Sequence, residues 1–255
     1  MKRVLVASKH QHLLSNLDMV LKHWGYRSLT SHHHDDILQL LETTEPDLVI
    51  FDAPWLRENR SHLSPLLPLL ERRNKTHYAI MQDEDTPSPE LSPRLQQKRV
   101  SADIFALYSL TQSLLQNHPR KRLRTGVHLP GMFRRQGRCW NMGQIMTLGT
   151  GGMFIQSGFY LQRDEPLNLC IPLLGMKQEI EISGRVLYAV EPCQENNYLQ
   201  GYGIQFGGLV DETAHALRRF VAGCFLHGIE NEHTSETEMF ITSTDPEYSL
   251  QKIAV

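Results

Sequence analysis

A chain of 255 residues exceeds the usual size of one domain, so two domains are expected. Hydrophobic residues at 40% and charged residues at 21% suit a soluble globular fold, while a formal charge of -2 excludes a global field that would gather nucleic acid or an anionic membrane. Any basic site must therefore be local.

No apolar run nears the roughly 18 residues of a bilayer span, and the first strand candidate begins too early for a signal peptide. A cytoplasmic protein without membrane insertion is expected. Cys139, Cys170, Cys193 and Cys224 show no CxxC spacing, which reads as reduced, mostly structural thiols with no metal site or cofactor.

Val4, Leu5, Val6 and Ala7 form a continuous apolar run within residues 2–8, the pattern of a strand buried on both faces. Leu13, Leu14, Leu17, Val20, Leu21 and Trp24 then recur at helical spacing, and Gly25 supplies the stop. A strand over 26–30 leads into a helix with Ile37, Leu38, Leu40 and Leu41 as its apolar stripe, opened by Asp35 or Asp36 and ended by Pro46. Residues 47–51 read as another buried strand. A helix near 63–73, a strand over 77–81 and a helix over 103–116 follow, with Ile104, Leu107, Leu110, Leu114 and Leu115 as core candidates in the last. The Pro-rich, charged stretch 83–99 replaces or shortens one helix–strand unit. This alternation predicts an α/β domain with a parallel sheet over residues 1–117. His32, His33 and His34 are consecutive and point in different directions, so an exposed loop is expected there rather than a metal site.

The order of elements, and Asp52 at the end of the run from Glu45 through Phe51, resemble the receiver domain of response regulators, which places its phosphoacceptor aspartate at the end of the third strand. The resemblance implies acidic residues after the first strand to hold Mg²⁺, but Ala7, Ser8 and Lys9 stand there. Mg²⁺ is a poor fit to one carboxylate beside a lysine, and phosphoryl transfer without the metal loses its main charge stabiliser. Lys98 is the candidate for the receiver's lysine. A degenerate receiver-like domain, retained as an interaction surface and not phosphorylated at Asp52, is expected.

Composition changes at His118 and Pro119. Arg120, Lys121, Arg122 and Arg124 place four cations in five residues ahead of the β-like run 127–133. Short apolar or alternating segments follow at 144–147, 153–157, 167–172, 179–190 and 202–206, separated by turn formers, and they suggest a sandwich or closed barrel. A helix from 211 to about 225 closes the domain, with Ala214, Leu217, Phe220 and Val221 inward. From Glu230 the chain is polar, and residues 229–255 read as a solvated, mobile tail in which Met239, Phe240 and Ile241 can dock on a partner.

Three patches recur in order. The first is Arg120 and Arg124, spaced RxxxR. The second runs from Thr147 through Gly149, Gly151 and Gly152 to Ile155. The third holds Gly184, Arg185 and Tyr188, then Gly201, Gly203, Gln205 and Phe206. In this order, over residues 118–228, they resemble a PilZ domain, the bacterial module that senses cyclic di-GMP. The resemblance implies an antiparallel β-barrel closed by a helix, and ligand-binding roles for Arg120, Arg124, Thr147, Gly149 and Gly152. Guanidinium suits this role because its planar fork pairs bidentately with phosphate or the guanine O6/N7 edge and also stacks.

The second patch departs from the family, which carries Asp or Asn where Thr147 stands and Ser where Gly149 stands. Losing those groups costs about 2–4 kcal/mol of binding on the scale of charged hydrogen bonds. Backbone N–H groups of the turn at 149–152 remain for an anion.

The expected function is a non-catalytic signalling protein that binds cyclic di-GMP with reduced affinity. Because Pro119 and the arginines lie between the domains, ligand capture is expected to order the linker. The alternative is a degenerate PilZ and receiver scaffold for an unknown protein partner in motility, pilus or polysaccharide regulation. Ser157, His128 and Asp164 lack a nucleophile-elbow context, and GxSxG, Walker and HExxH motifs are absent, so no enzyme is expected. DNA binding is not expected either, since no recognition helix accompanies the short basic run.

Overall fold

In the computed structural model the chain divides into two compact units, Met1–Lys121 and Arg122–Val255. The described residues are 1–59, 62, 64–82, 91, 92, 94–120 and 122–238, with side chains described through Glu230.

The first unit is an α/β domain. Its elements are β1 (Arg3–Ala7), α1 (Gln11–His23), β2 (Arg27–Ser31), α2 (His34–Thr43), β3 (Leu48–Asp52), α3 (Ala53–Glu58), α4 (Leu66–Glu71), β4 (His77–Gln82), β5 (Gln97–Ser101) and α5 (Ile104–Leu115). All strand pairs are parallel and run in the order β2-β1-β3-β4-β5, the doubly wound order of flavodoxin-like folds. The apolar runs of β1 and β3 explain the layering. Alternate residues of each strand enter opposite cores, with Leu5, Val49 and Phe51 against Trp55 and Leu41, and Val6 and Ile50 against Leu17 and Leu107. Helix α1 stops as expected, since Gly25 adopts φ +81 and donates its N–H to the Lys22 carbonyl at 2.8 Å. Asp103 caps α5 by accepting from the Ala106 N–H at 3.0 Å.

Two differences from the sequence-based expectation concern the middle of this unit. Among the described residues of the stretch 63–73 the helix is the short α4, and α3 begins directly after Asp52, where Pro54 favours a first helical turn. The stretch expected to be irregular carries a fifth strand. In β5 only Val100 is buried while Lys98 and Arg99 are exposed, as an edge strand allows.

The second unit is a closed antiparallel barrel followed by a helix. Strands β6 (Arg124–Arg134), β7 (Asn141–Gly149), β8 (Gly152–Gln156), β9 (Pro166–Leu173), β10 (Gln178–Val190) and β11 (Gly201–Phe206) join in the order β10-β11-β8-β7-β6-β9. Alternation sets the core: Phe133, Ile145, Leu148, Ile155, Leu169, Ile171, Val186 and Ile204 are buried, while their neighbours face outward. Helix α6 (Asp211–Glu238) lies against β6 and β7 and buries Leu217, Phe220, Val221 and Phe225. It passes well beyond the end expected near residue 225. The first part of the expected polar tail is thus helical, and Ile229 is buried within it. Met239, Phe240 and Ile241 lie outside the described residues.

Candidate functional site

The register of the barrel places the sequence-predicted groups on its outer face in two adjacent rows. One row crosses the strands as Arg124, Gly149, Gly152, Gln205 and Arg185. The next, two residues along each regular strand, runs Gly126, Thr147, Phe154, Gly203 and Tyr188. These rows stand about 7 Å apart from strand geometry. Bulges in β6 between Gly126 and Leu129, in β7 between Ile145 and Thr147, and in β10 between Val186 and Tyr188 keep the facing positions in line.

The glycines of the hairpin between β7 and β8 are required by close approach, since none has a left-handed φ. A Cβ on Gly149 would meet the Leu123 carbonyl at 2.7 Å and the Arg124 Cγ at 3.0 Å. A Cβ on Gly152 would stand 2.4 Å from the Ile204 carbonyl oxygen of β11. At Gly151 the Arg122 guanidinium occupies the space itself, with Nη1 only 1.5 Å from where a Cβ would be. This geometry corrects one expectation from sequence. Replacing the family's serine by Gly149 does not simply subtract a hydroxyl, because the chain ahead of β6 packs into the space that a serine would fill. It also qualifies the open anion-binding turn, since Arg122 already lies across it.

Arg122, Arg124 and Arg185 form no ion pair among the described residues. Arg185 is held by a neutral partner, donating from Nε and Nη2 to the Gln205 Oε1 at 3.2 and 3.0 Å. Beside these cations lie two aromatic rings. Phe154 covers Gly201 and Tyr188 covers Gly203, and the rings stack with centroids 6.4 Å apart at 21°. The structure therefore brings Arg124, Thr147, Gly149 and Gly152 to one surface. Arg120 belongs to the first unit, where it is exposed and its backbone N–H donates to the Gln112 Oε1 at 3.3 Å. Sequence reasoning gave no role to Arg185, Gln205, Phe154 or Tyr188, although the third patch contains three of them. The missing information was the cross-strand register.

In the first unit Asp52 ends β3, is buried, and accepts the Ser8 hydroxyl at 2.6 Å. A cleft of about 210 Å³ beside it is lined by His10, Arg57, Met81 and Gln82 among others. Lys9 pairs with Glu58. Lys98 pairs in register with Ala79, two residues before Val100, which is level with Met81 and hence Asp52. It therefore stands two residues short of the level of Asp52. The rings of His32 and His33 lie 3.8 Å apart, closer together than consecutive positions suggest, and His34 packs against His62. No group of three His, Cys, Asp or Glu able to hold a metal occurs among the described residues. No described helix is long and apolar enough to cross a membrane.

The second unit is thus a closed six-stranded barrel with a basic lead-in segment laid on its outer face. Residues 117–223 match the family model described as PilZ domain. No curated protein matches the chain. Among solved structures, it is similar to the Bacillus subtilis inhibitor of motility MotI/DgrA, with 17% identity and a TM-score of 0.38, over 43% of this chain and 52% of that one. It is also similar to the PilZ domain of YcgR from Escherichia coli, solved with c-di-GMP, with 13% identity and a TM-score of 0.36, over 48% of this chain and 98% of that one. MrkH of K. pneumonia in its apo state matches at 18% identity and a TM-score of 0.39, over 46% of this chain and 54% of that one. The chain thus spans about half the length of the MotI/DgrA and MrkH chains.

Proposed function

We propose that this is a non-catalytic signalling protein that binds cyclic di-GMP on the outer face of its PilZ barrel, through Arg120, Arg124, Thr147, Gly149 and Gly152. The observation that supports the reading best is a row of cations, without acidic partners among the described residues, laid over a strip of glycines. Arg122 and Arg124 lie on Gly151 and Gly149, and neither is neutralised among the described residues. Uncompensated guanidinium laid against glycine backbone favours a compact dianion, because each phosphate accepts charge-assisted, bidentate hydrogen bonds. Calorimetry of the whole chain with cyclic di-GMP, using ATP and GTP as controls, tests this. The expected result is saturable heat for the dinucleotide alone, weakened about 10- to 100-fold in Arg124→Ala. An absence of heat with the unmodified protein would overturn the reading.

The first unit serves, on this proposal, as a receiver-derived scaffold for a protein partner and not as a phosphoacceptor. Ser8 supports this, because it donates to the buried Asp52 where a metal-holding acid would be needed. Labelling of Asp52 by acetyl phosphate in the presence of Mg²⁺ would contradict it.

A further inference from the structure

Thr147 and Gly149 lack the carboxylate and hydroxyl that the family's second motif offers a base, so a bound dinucleotide must be read by other groups or not at all. The outer face of the barrel supplies two. Tyr188 lies over Gly203 with three ring atoms within 2.7 Å of where a Cβ would be, so one side of the ring is pressed to the β11 backbone. The residue remains 43% exposed. Phe154 continues the same surface, and it pairs across the strands with Thr147. Such a ledge is a stacking platform, and stacking tolerates any base because every base has a π face.

Arg185 supplies the second group. Its Nε and Nη2 both donate to the Gln205 Oε1, which takes the side-on edge of the guanidinium and draws the side chain across β11. Gln205 pairs with Gly152, so the guanidinium is brought toward the glycine strip from the side opposite Arg124. The end-on edge, formed by Nη1 and Nη2, still carries donors. That fork matches the O6 and N7 acceptors of guanine and finds only one acceptor on the corresponding edge of adenine.

We propose that Tyr188 and Arg185 read the purine, Tyr188 as the stacking face and Arg185 as the edge-reading group, in place of the motif side chains that this chain lacks. This inference rests on the cyclic dinucleotide reading above and assigns the groups that set its base specificity.

The test titrates the whole chain and its variants with cyclic di-GMP and cyclic di-AMP. Tyr188→Leu keeps an apolar cover over Gly203 but removes the ring, and Tyr188→Trp keeps the ring. Tyr188→Leu is expected to weaken both ligands by about 5- to 100-fold, with Tyr188→Trp close to the unmodified protein. Arg185→Ala is expected to weaken cyclic di-GMP about 10-fold or more and to erase the preference over cyclic di-AMP. Thermal melts confirm that each variant is folded. Failure of the unmodified protein to bind either dinucleotide would overturn the proposed function and this inference together. Binding that is lost in Arg124→Ala but unchanged in Tyr188→Leu and Arg185→Ala would leave the function standing and overturn only the inference.

Discussion

At the scale of single residues, the strongest constraints lie where the sequence looks least like chemistry. Gly149 and Gly152 are needed because backbone from two other segments comes within 2.7 and 2.4 Å of where their Cβ atoms would be. Restoring the family's hydroxyl by Gly149→Ser is therefore expected to harm the protein. The new Cβ meets the Leu123 carbonyl, and displacing packed backbone costs about 1–3 kcal/mol. Urea denaturation should show that loss, and titration with cyclic di-GMP should show no gain in affinity. An undiminished midpoint with tighter binding would mean that the lead-in segment moves aside without cost. Ser8 makes the opposite point, since a residue that looked like a defect in a receiver pattern is the hydrogen-bond partner of buried Asp52.

At the scale of elements, pairing is secured by side chains at strand ends as well as by the ladders. Asp47, just ahead of β3, accepts from the Lys2 Nζ and from the Arg3 N–H, both at 2.8 Å, and so ties the start of β1 to β3. Burial opposes its charge, but those two hydrogen bonds and the neighbouring positive charges outweigh burial and hold its carboxyl below the usual range. A carboxyl depressed in the folded state binds its proton less readily there than in the unfolded chain. Its contribution is thus present above the ordinary carboxylate range and lost as pH falls through the folded value. Asp47→Asn should be less stable than the unmodified chain at neutral pH, and the gap should narrow below about pH 4 in denaturation followed by circular dichroism. A gap independent of pH would assign the effect to shape instead of charge. The elements legible from sequence were those with a buried face. Strand β3 was visible because five consecutive residues are buried, whereas β5 was not because only Val100 is.

At the scale of the whole molecule, a formal charge of -2 coexists with a barrel face on which Arg122, Arg124 and Arg185 lack acidic partners among the described residues. The attraction for an anion is then short-ranged and limited to a few contacts. Affinity for cyclic di-GMP should fall only modestly between about 50 and 200 mM salt, with no retention of duplex DNA at the higher value. A steep salt slope with DNA retained would identify a nucleic-acid surface instead. Each of the two units has its own apolar core, in keeping with a chain longer than one domain usually spans.

The sequence by itself determined the class of both units, the strand succession of the barrel and the place of the arginine segment. Each of these follows from local periodicity and turn chemistry, which short stretches of chain carry alone. Only the tertiary structure decided which side chains share a surface. Arg124 and Arg185 are 61 positions apart and join one row because of strand register, and Leu123 meets Gly149 because β6 pairs with β7. Register is fixed by the whole buried face of a sheet, so no single motif encodes it. For that reason the RxxxR and glycine patches pointed to a site, while its candidate base-reading groups, Tyr188 and Arg185, emerged only from the folded barrel.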